Sequence, residues 1–154
     1  MKMSTKSRYG VRAMFELARN YGSYPVSVKV IAKQQEISLP YLEQILNQLS
    51  KAGLVRSIKG PGGGFILDKK PEDIKIIDII FALGESVSPV FCVEENANKK
   101  CQRALNCVTR LLWKKLDEKT REVLEGITLK DLCEWAREIA SSPSHEYMLS
   151  LIHI

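Results

Sequence analysis

The run Ile37-Ser38-Leu39-Pro40-Tyr41-Leu42-Glu43-Gln44-Ile45-Leu46, continuing to Leu49, Ala52 and Gly53, decides the fold. Leu42, Ile45, Leu46 and Leu49 fall at the i, i+3, i+4, i+7 spacing of an amphipathic helix. Ser38 is a capping residue, Pro40 lies in the first turn where a missing N–H costs nothing, and Gly53 terminates the helix. Upstream, Ser27 caps a short helix that carries Val28, Ile31 and Ala32 inward, and Ile37-Ser38 supplies the break between the two. Two helices a few residues apart, the second polar near its start, match a helix-turn-helix. Its outward residues Ser38, Tyr41, Glu43, Gln44 and, a turn later, Gln48 carry the chemistry of base readout. Glutamine pairs with adenine through two bonds, and glutamate accepts from cytosine N4. For an isolated helix, a merely solvated face would explain the same residues.

Working outward, Gly10, Ala13, Met14, Leu17 and Ala18 make a helical stripe from Ser4 to about Arg19, ended by Asn20-Tyr21-Gly22. On the other side, Leu54–Lys59 and Phe65–Leu67 have strand character, joined by Gly60-Pro61-Gly62-Gly63-Gly64. This predicts a hairpin wing with Lys59 at its tip, Arg56 on its first strand, and Gly62 and Gly63 allowing close backbone approach. A phosphate-cradling loop is the alternative, but no Gly-Lys-Ser/Thr follows and no helix opens after it. The fold class is therefore mainly α with a small β-hairpin: residues 1–83 form a winged helix-turn-helix domain, 84–103 a cysteine-containing loop, and 104–140 a long helix and a C-terminal helix.

The chain has 154 residues and a formal charge of +5, unevenly spread. Residues 1–70 hold 12 Lys/Arg against 4 Asp/Glu, whereas residues 71–154 hold 11 against 14. The basic half is the one that faces a polyanion. No apolar run approaches the roughly 20 residues that span a bilayer, and the start lacks the apolar stretch of a signal peptide, which predicts a cytoplasmic protein. In that compartment thiols stay reduced, so clustered cysteines bind metal or do redox chemistry more often than they form structural disulfides.

Cys92, Cys101 and Cys107 lie within 16 residues, separated by eight and then five residues. That is neither the paired spacing of a zinc ribbon nor a ferredoxin run, so spacing alone leaves metal binding and thiol chemistry both open. Cys133 differs: it shares the stripe Leu129, Leu132, Cys133, Ala136, Ile139 of a helix capped by Thr128, and reads as buried packing. His145 reads as a surface residue. After Pro71 a short helix around Ile76–Leu83 packs on the winged domain. From Ala104 to Leu124 the longest helical pattern places Leu105, Val108, Leu111, Leu112, Leu116, Val123 and Leu124 on one side, more than a small domain covers, and predicts a homodimer interface with Cys107 on its first turns. The segment Leu149–Ile154 back-translates to a transposase end sequence used in library construction, and is read as a scar outside the fold.

These motifs, with the opening Lys6-Ser7-Arg8-Tyr9-Gly10-Val11-Arg12-Ala13-Met14, resemble the IscR/NsrR/CymR family of bacterial winged-helix regulators over residues 1 to about 140. The resemblance implies a homodimeric transcriptional regulator, expected to act as a repressor, on double-stranded operator DNA. Ser38, Pro40, Tyr41, Glu43 and Gln44 would then lie in the major groove, with Arg56, Lys59, Gly62 and Gly63 forming a wing on the minor groove. It also implies an iron-sulfur cluster on Cys92, Cys101 and Cys107, two-iron or four-iron, with two-iron favoured. This chain departs from the family at Pro40, where some relatives have serine, and in the longer gap between its first two cysteines. Arg110 stands where IscR-like members carry a histidine ligand, and Arg8 where NsrR-like members carry an acidic one, leaving Glu94, Glu95 or a partner group as fourth-ligand candidates. Cluster-free members point to an alternative in which the cysteines serve a thiol switch or structural zinc, or a partner protein supplies the signal. No Ser/His/Asp, His-Glu-x-x-His or phosphate-loop constellation points to an enzyme, and neither a small-molecule substrate nor a membrane partner is expected.

Overall fold

A computed structural model describes residues 2–94 and 101–142. Glu95, His145 and the segment 149–154 lie outside them. Helix α1 (Thr5–Arg19) begins where the Ser4 side chain accepts the Ser7 N–H at 3.0 Å. It buries Gly10, Ala13, Met14, Leu17 and Ala18, the stripe read from the sequence, together with Ser7 and Glu16. Helix α2 (Val28–Gln35) is capped by Ser27, and Glu36 ends it in the left-handed region with φ 54°. The break thus falls one residue earlier than Ile37-Ser38, and Ile37 is freed to enter the core.

Helix α3 (Leu39–Lys51) has Leu42, Ile45, Leu46 and Leu49 fully buried, each contributing roughly 1.5–3 kcal/mol of burial. Ser38 occupies its N-cap, but without the side-chain capping bond that the sequence led us to expect. Pro40 has no N–H to offer at the second helical position, and the third amide, that of Tyr41, which is the position used by the caps of α1 and α2, is not engaged by Ser38 either.

Strands β1 (Val55–Ile58) and β2 (Gly64–Leu67) pair antiparallel from Val55↔Leu67 to Ile58↔Gly64; β1 is one residue shorter than expected at each end, with Lys59 in the connection, and β2 is one residue longer. Val26 and Phe65 exchange backbone bonds of 3.0 and 2.9 Å, which fastens the wing to the strap before α2. Gly63 is demanded by packing, since a Cβ there would lie 2.2 Å from the Ile58 carbonyl oxygen.

Helix α4 (Ile76–Ala82) is apolar on nearly every side because α1 and α3 cover one flank and α5 the other. Ile76, Ile77, Ile79 and Ile80 are buried, and Leu83 seats against Gly10 of α1. Helix α5 (Val108–Glu125) starts four residues later than the sequence pattern suggested, with Cys107 as its N-cap and residues 102–106 in turns. Helix α6 (Leu129–Ser141) follows a capping box in which Thr128 and Asp131 satisfy each other's amides, and its Leu129 and Cys133 close the core against α1.

The seven apolar residues assigned to one face of α5 divide between two. Leu116 and Leu124 are half-buried against the chain, whereas Val108, Leu111, Leu112 and Val123 are 79%, 61%, 56% and 57% exposed. Leu105 lies in the turns before the helix and is 99% exposed. The inward side carries Arg110, Trp113, Asp117, Thr120 and Arg121, which the apolar pattern alone does not reveal.

Candidate DNA interface and cysteine segment

The first half of α3 presents Pro40, Glu43 and Gln44 to solvent, with Ser38 exposed just before it and Tyr41 half-buried at its base. Tyr41 is held by the edge of the Tyr9 ring, 5.9 Å between centroids and 70° between planes. The Arg12 guanidinium lies 5.3 Å over the same Tyr9 ring and its Nε donates to Gln35 Oε1 at 2.9 Å. A second Arg12 nitrogen donates to the Gln35 carbonyl oxygen. Gln35 in turn donates to buried Glu16 at 2.6 Å, and Arg19 pairs with the same carboxylate oxygen at 3.4 Å. This network ties α1 to the end of α2, and the Tyr9–Tyr41 contact joins it to the base of α3.

Beside Gln44 runs a groove of about 450 Å³ lined by Lys6, Tyr41, Asn47, Gln48 and Lys51. Sequence reasoning missed Lys6, Asn47 and Lys51. Asn47 and Lys51 could have been found, because they follow Gln44 by three and seven residues and share its helical face. Lys6 arrives only through the packing of α1 on α3.

On the wing, Lys59 is exposed at the turn, where Gly62 adopts φ 74° and Gly63 donates to the Gly60 carbonyl oxygen at 2.9 Å. Both glycines therefore serve the turn's own geometry. Arg56 leans toward Asp68, 3.7 Å away at the foot of the wing; both side chains are open to water, so the pair contributes little stability and leaves the guanidinium available.

Cys92 lies in a 3-10 turn (Phe91–Val93) that rests on α5, Cys101 opens the turns before α5, and Cys107 caps it. All three are partly exposed free thiols. The Thr109 hydroxyl, 3.2 Å from the Cys107 sulfur, lowers that thiol's pKa, helped by the Arg110 amide and by the charge of Arg103. Cys133 is the opposite case: burial pushes its thiol up, against weaker pulls from Arg137 and Arg19. Cys133→Ala is accordingly expected to cost about 1 kcal/mol by thermal unfolding and nothing in DNA binding. Arg110 has a buried Nε with no hydrogen-bond partner among the described residues.

By donor chemistry the three cysteines fit a soft iron-sulfur group, which Cys92, Cys101 and Cys107 would hold. They are not gathered for it: among the described residues no three Cys, His, Asp or Glu side chains form a group able to hold a metal ion. Glu94 ends the Cys92 turn, while the other acidic candidate, Glu95, is outside the described residues.

A helix-turn-helix with a glycine-tipped wing defines the winged-helix class of DNA-binding regulators. Residues 3–135 match the Rrf2 family, described as iron-dependent transcriptional regulators, and the chain belongs to that family. It is 41% identical over 132 residues to the regulator IscR of Aliivibrio salmonicida, covering 86% of this chain and 77% of that protein. To the regulator CymR of Bacillus subtilis it is 41% identical over 135 residues, covering 88% and 91%. Among solved structures, T. potens IscR superposes with a TM-score of 0.76 at 42% identity, covering 96% of both chains. The B. subtilis CymR structure, described as the global cysteine regulator, gives 0.72 at 40% identity, covering 88% of this chain and 98% of that one. These relatives are transcriptional regulators, and among the described residues no helix is long and apolar enough to cross a membrane.

Proposed function

We propose that this protein is a cytoplasmic, homodimeric repressor whose affinity for operator DNA is set by an iron-sulfur group on Cys92, Cys101 and Cys107. One observation carries the reading: Cys107 stands at the N-cap of the helix whose outward apolar residues Val108, Leu111, Leu112 and Val123 find no cover among the described residues. A second copy of the chain supplies that cover with two-fold symmetry. A change at the thiols then acts at the end of the element that sets the spacing of the two reading helices. When bound, the group would supply a reversible link among three positions that is lost with oxidants or scarce iron. The similarity to IscR supports this reading.

A second reading, a thiol switch of the cluster-free kind, is favoured by the lowered Cys107 thiol and by the equal similarity to CymR. The two separate in one binding experiment on an operator fragment. Under the first, anaerobic protein reconstituted with iron and sulfide differs in affinity from metal-free reduced protein. Under the second, metal-free protein responds to mild oxidant and iron has no effect.

In the DNA-bound state Gln44 is assigned to base readout and Lys59 to the backbone. Gln44→Ala should lose about 1–3 kcal/mol of discrimination between operator and scrambled DNA with the fold intact. Lys59→Ala should weaken binding to every sequence and reduce the salt slope by about one. Unchanged discrimination in the Gln44 variant, measured by anisotropy at two salt concentrations, rejects this assignment.

A further inference from the structure

Asp117 is 7% exposed, and two donors hold its carboxylate: Ser88 Oγ at 2.8 Å and Arg121 Nε at 3.0 Å. Ser88 lies four residues before Cys92, in the connection between α4 and the 3-10 turn that bears this cysteine. That turn packs on α5, the helix of Asp117. The Arg121 guanidinium lies 5.6 Å over the ring of Phe81, on α4. Helix α4 packs in turn on α1 and on the reading helix α3. A single carboxylate therefore joins the cysteine-bearing connection, the long helix and the support of the DNA-reading face.

Burying a carboxylate in a helix flank is costly, and an apolar residue of similar volume is often as stable or more so. The polar arrangement has a different merit: its bonds form in one relative placement of the three elements, whereas an apolar contact tolerates sliding. We propose that Asp117 is a positioning residue that locks the Cys92 turn, α5 and α4 together and passes a change in the cysteine segment to α3. The transmission half rests on the reading that this segment controls DNA affinity. The locking half does not.

The test uses the full chain with Ser88→Ala, which removes one bond and lies away from the reading face, and Ser88→Thr, which retains the hydroxyl. In reduced, metal-free protein, the rate of Cys92 labelling by iodoacetamide, followed by mass spectrometry, should rise in Ser88→Ala, with about tenfold, the scale of one lost hydrogen bond to a charged group, as the ceiling because this thiol is already partly exposed. It should return toward the original rate in Ser88→Thr, with buried Cys133 slow in all three proteins. An unchanged Cys92 rate in Ser88→Ala overturns the lock. For transmission, operator affinity is compared between protein reconstituted with iron and sulfide and metal-free protein. Ser88→Ala should shrink that ratio at least about threefold while keeping the visible spectrum, a shift within the range of coupling energies between sites. A full-sized ratio in Ser88→Ala overturns transmission, and a ratio of one in the unaltered chain instead defeats control by iron and sulfide.

Discussion

Leu112→Glu is expected to leave the protein monomeric at micromolar concentration and to weaken operator binding by at least about a hundredfold, since a carboxylate placed in a buried apolar interface costs several kcal/mol. The expectation follows from the outward face of α5. Leu112 sits at its centre, between Val108 and Leu111 on one side and Val123 on the other, all more than half exposed in the single chain. A monomer retains one reading helix and loses the second half-site, roughly 34 Å along the DNA. The variant should keep its helical content, because Leu112 contributes nothing to the buried core. Light scattering on the unaltered protein decides the premise: a stable monomer there contradicts the dimer.

Replacing Cys92, Cys101 or Cys107 singly with alanine is expected to abolish the brown chromophore and with it the affinity difference between iron-loaded and metal-free protein. Three thiolates are a minimal set for soft iron-sulfur ligation, so the loss of any one should be as damaging as the loss of all. Cys133→Ala keeps both colour and regulation, because its thiol is buried beneath α6 and packs against the core. With arginine at position 110, one iron is expected to lack a protein nitrogen ligand, and the chromophore should bleach rapidly in air or nitric oxide. A variant series in which Cys133→Ala bleaches and Cys101→Ala does not would reverse the assignment.

The winged domain was legible because its signals are local. Stripe, cap and terminator of α1 and α3 lie within a few residues of one another, and the glycines between β1 and β2 announce a turn. The outward residues of α3 followed from the same periodicity; of the basic groups beside them, Lys51 lies on α3 itself and Lys6 comes from a different helix. Long-range polar contacts were not legible. The inner face of α5 is set by Asp117 reaching Ser88, 29 residues away, so apolar spacing alone merged two faces that the fold separates. The start of α5 was misjudged for a related reason: Ala104 and Leu105 continue the apolar rhythm, yet the chain turns through 102–106 and the helix opens only after Cys107. Cysteine spacing likewise fixed a neighbourhood and no geometry. Cys107 stands at the start of α5, Cys101 precedes the turns before it and Cys92 lies in a turn that packs on it, yet the three form no metal-binding group among the described residues.

The most direct test of iron-sulfur control is the metal and sulfide content of protein purified without oxygen, measured alongside its visible spectrum. The proposed function predicts brown protein with stoichiometric iron and acid-labile sulfide, bleached by air and absent from the Cys92, Cys101 and Cys107 variants. Colourless protein carrying stoichiometric zinc, or coloured protein indifferent to all three replacements, would contradict it.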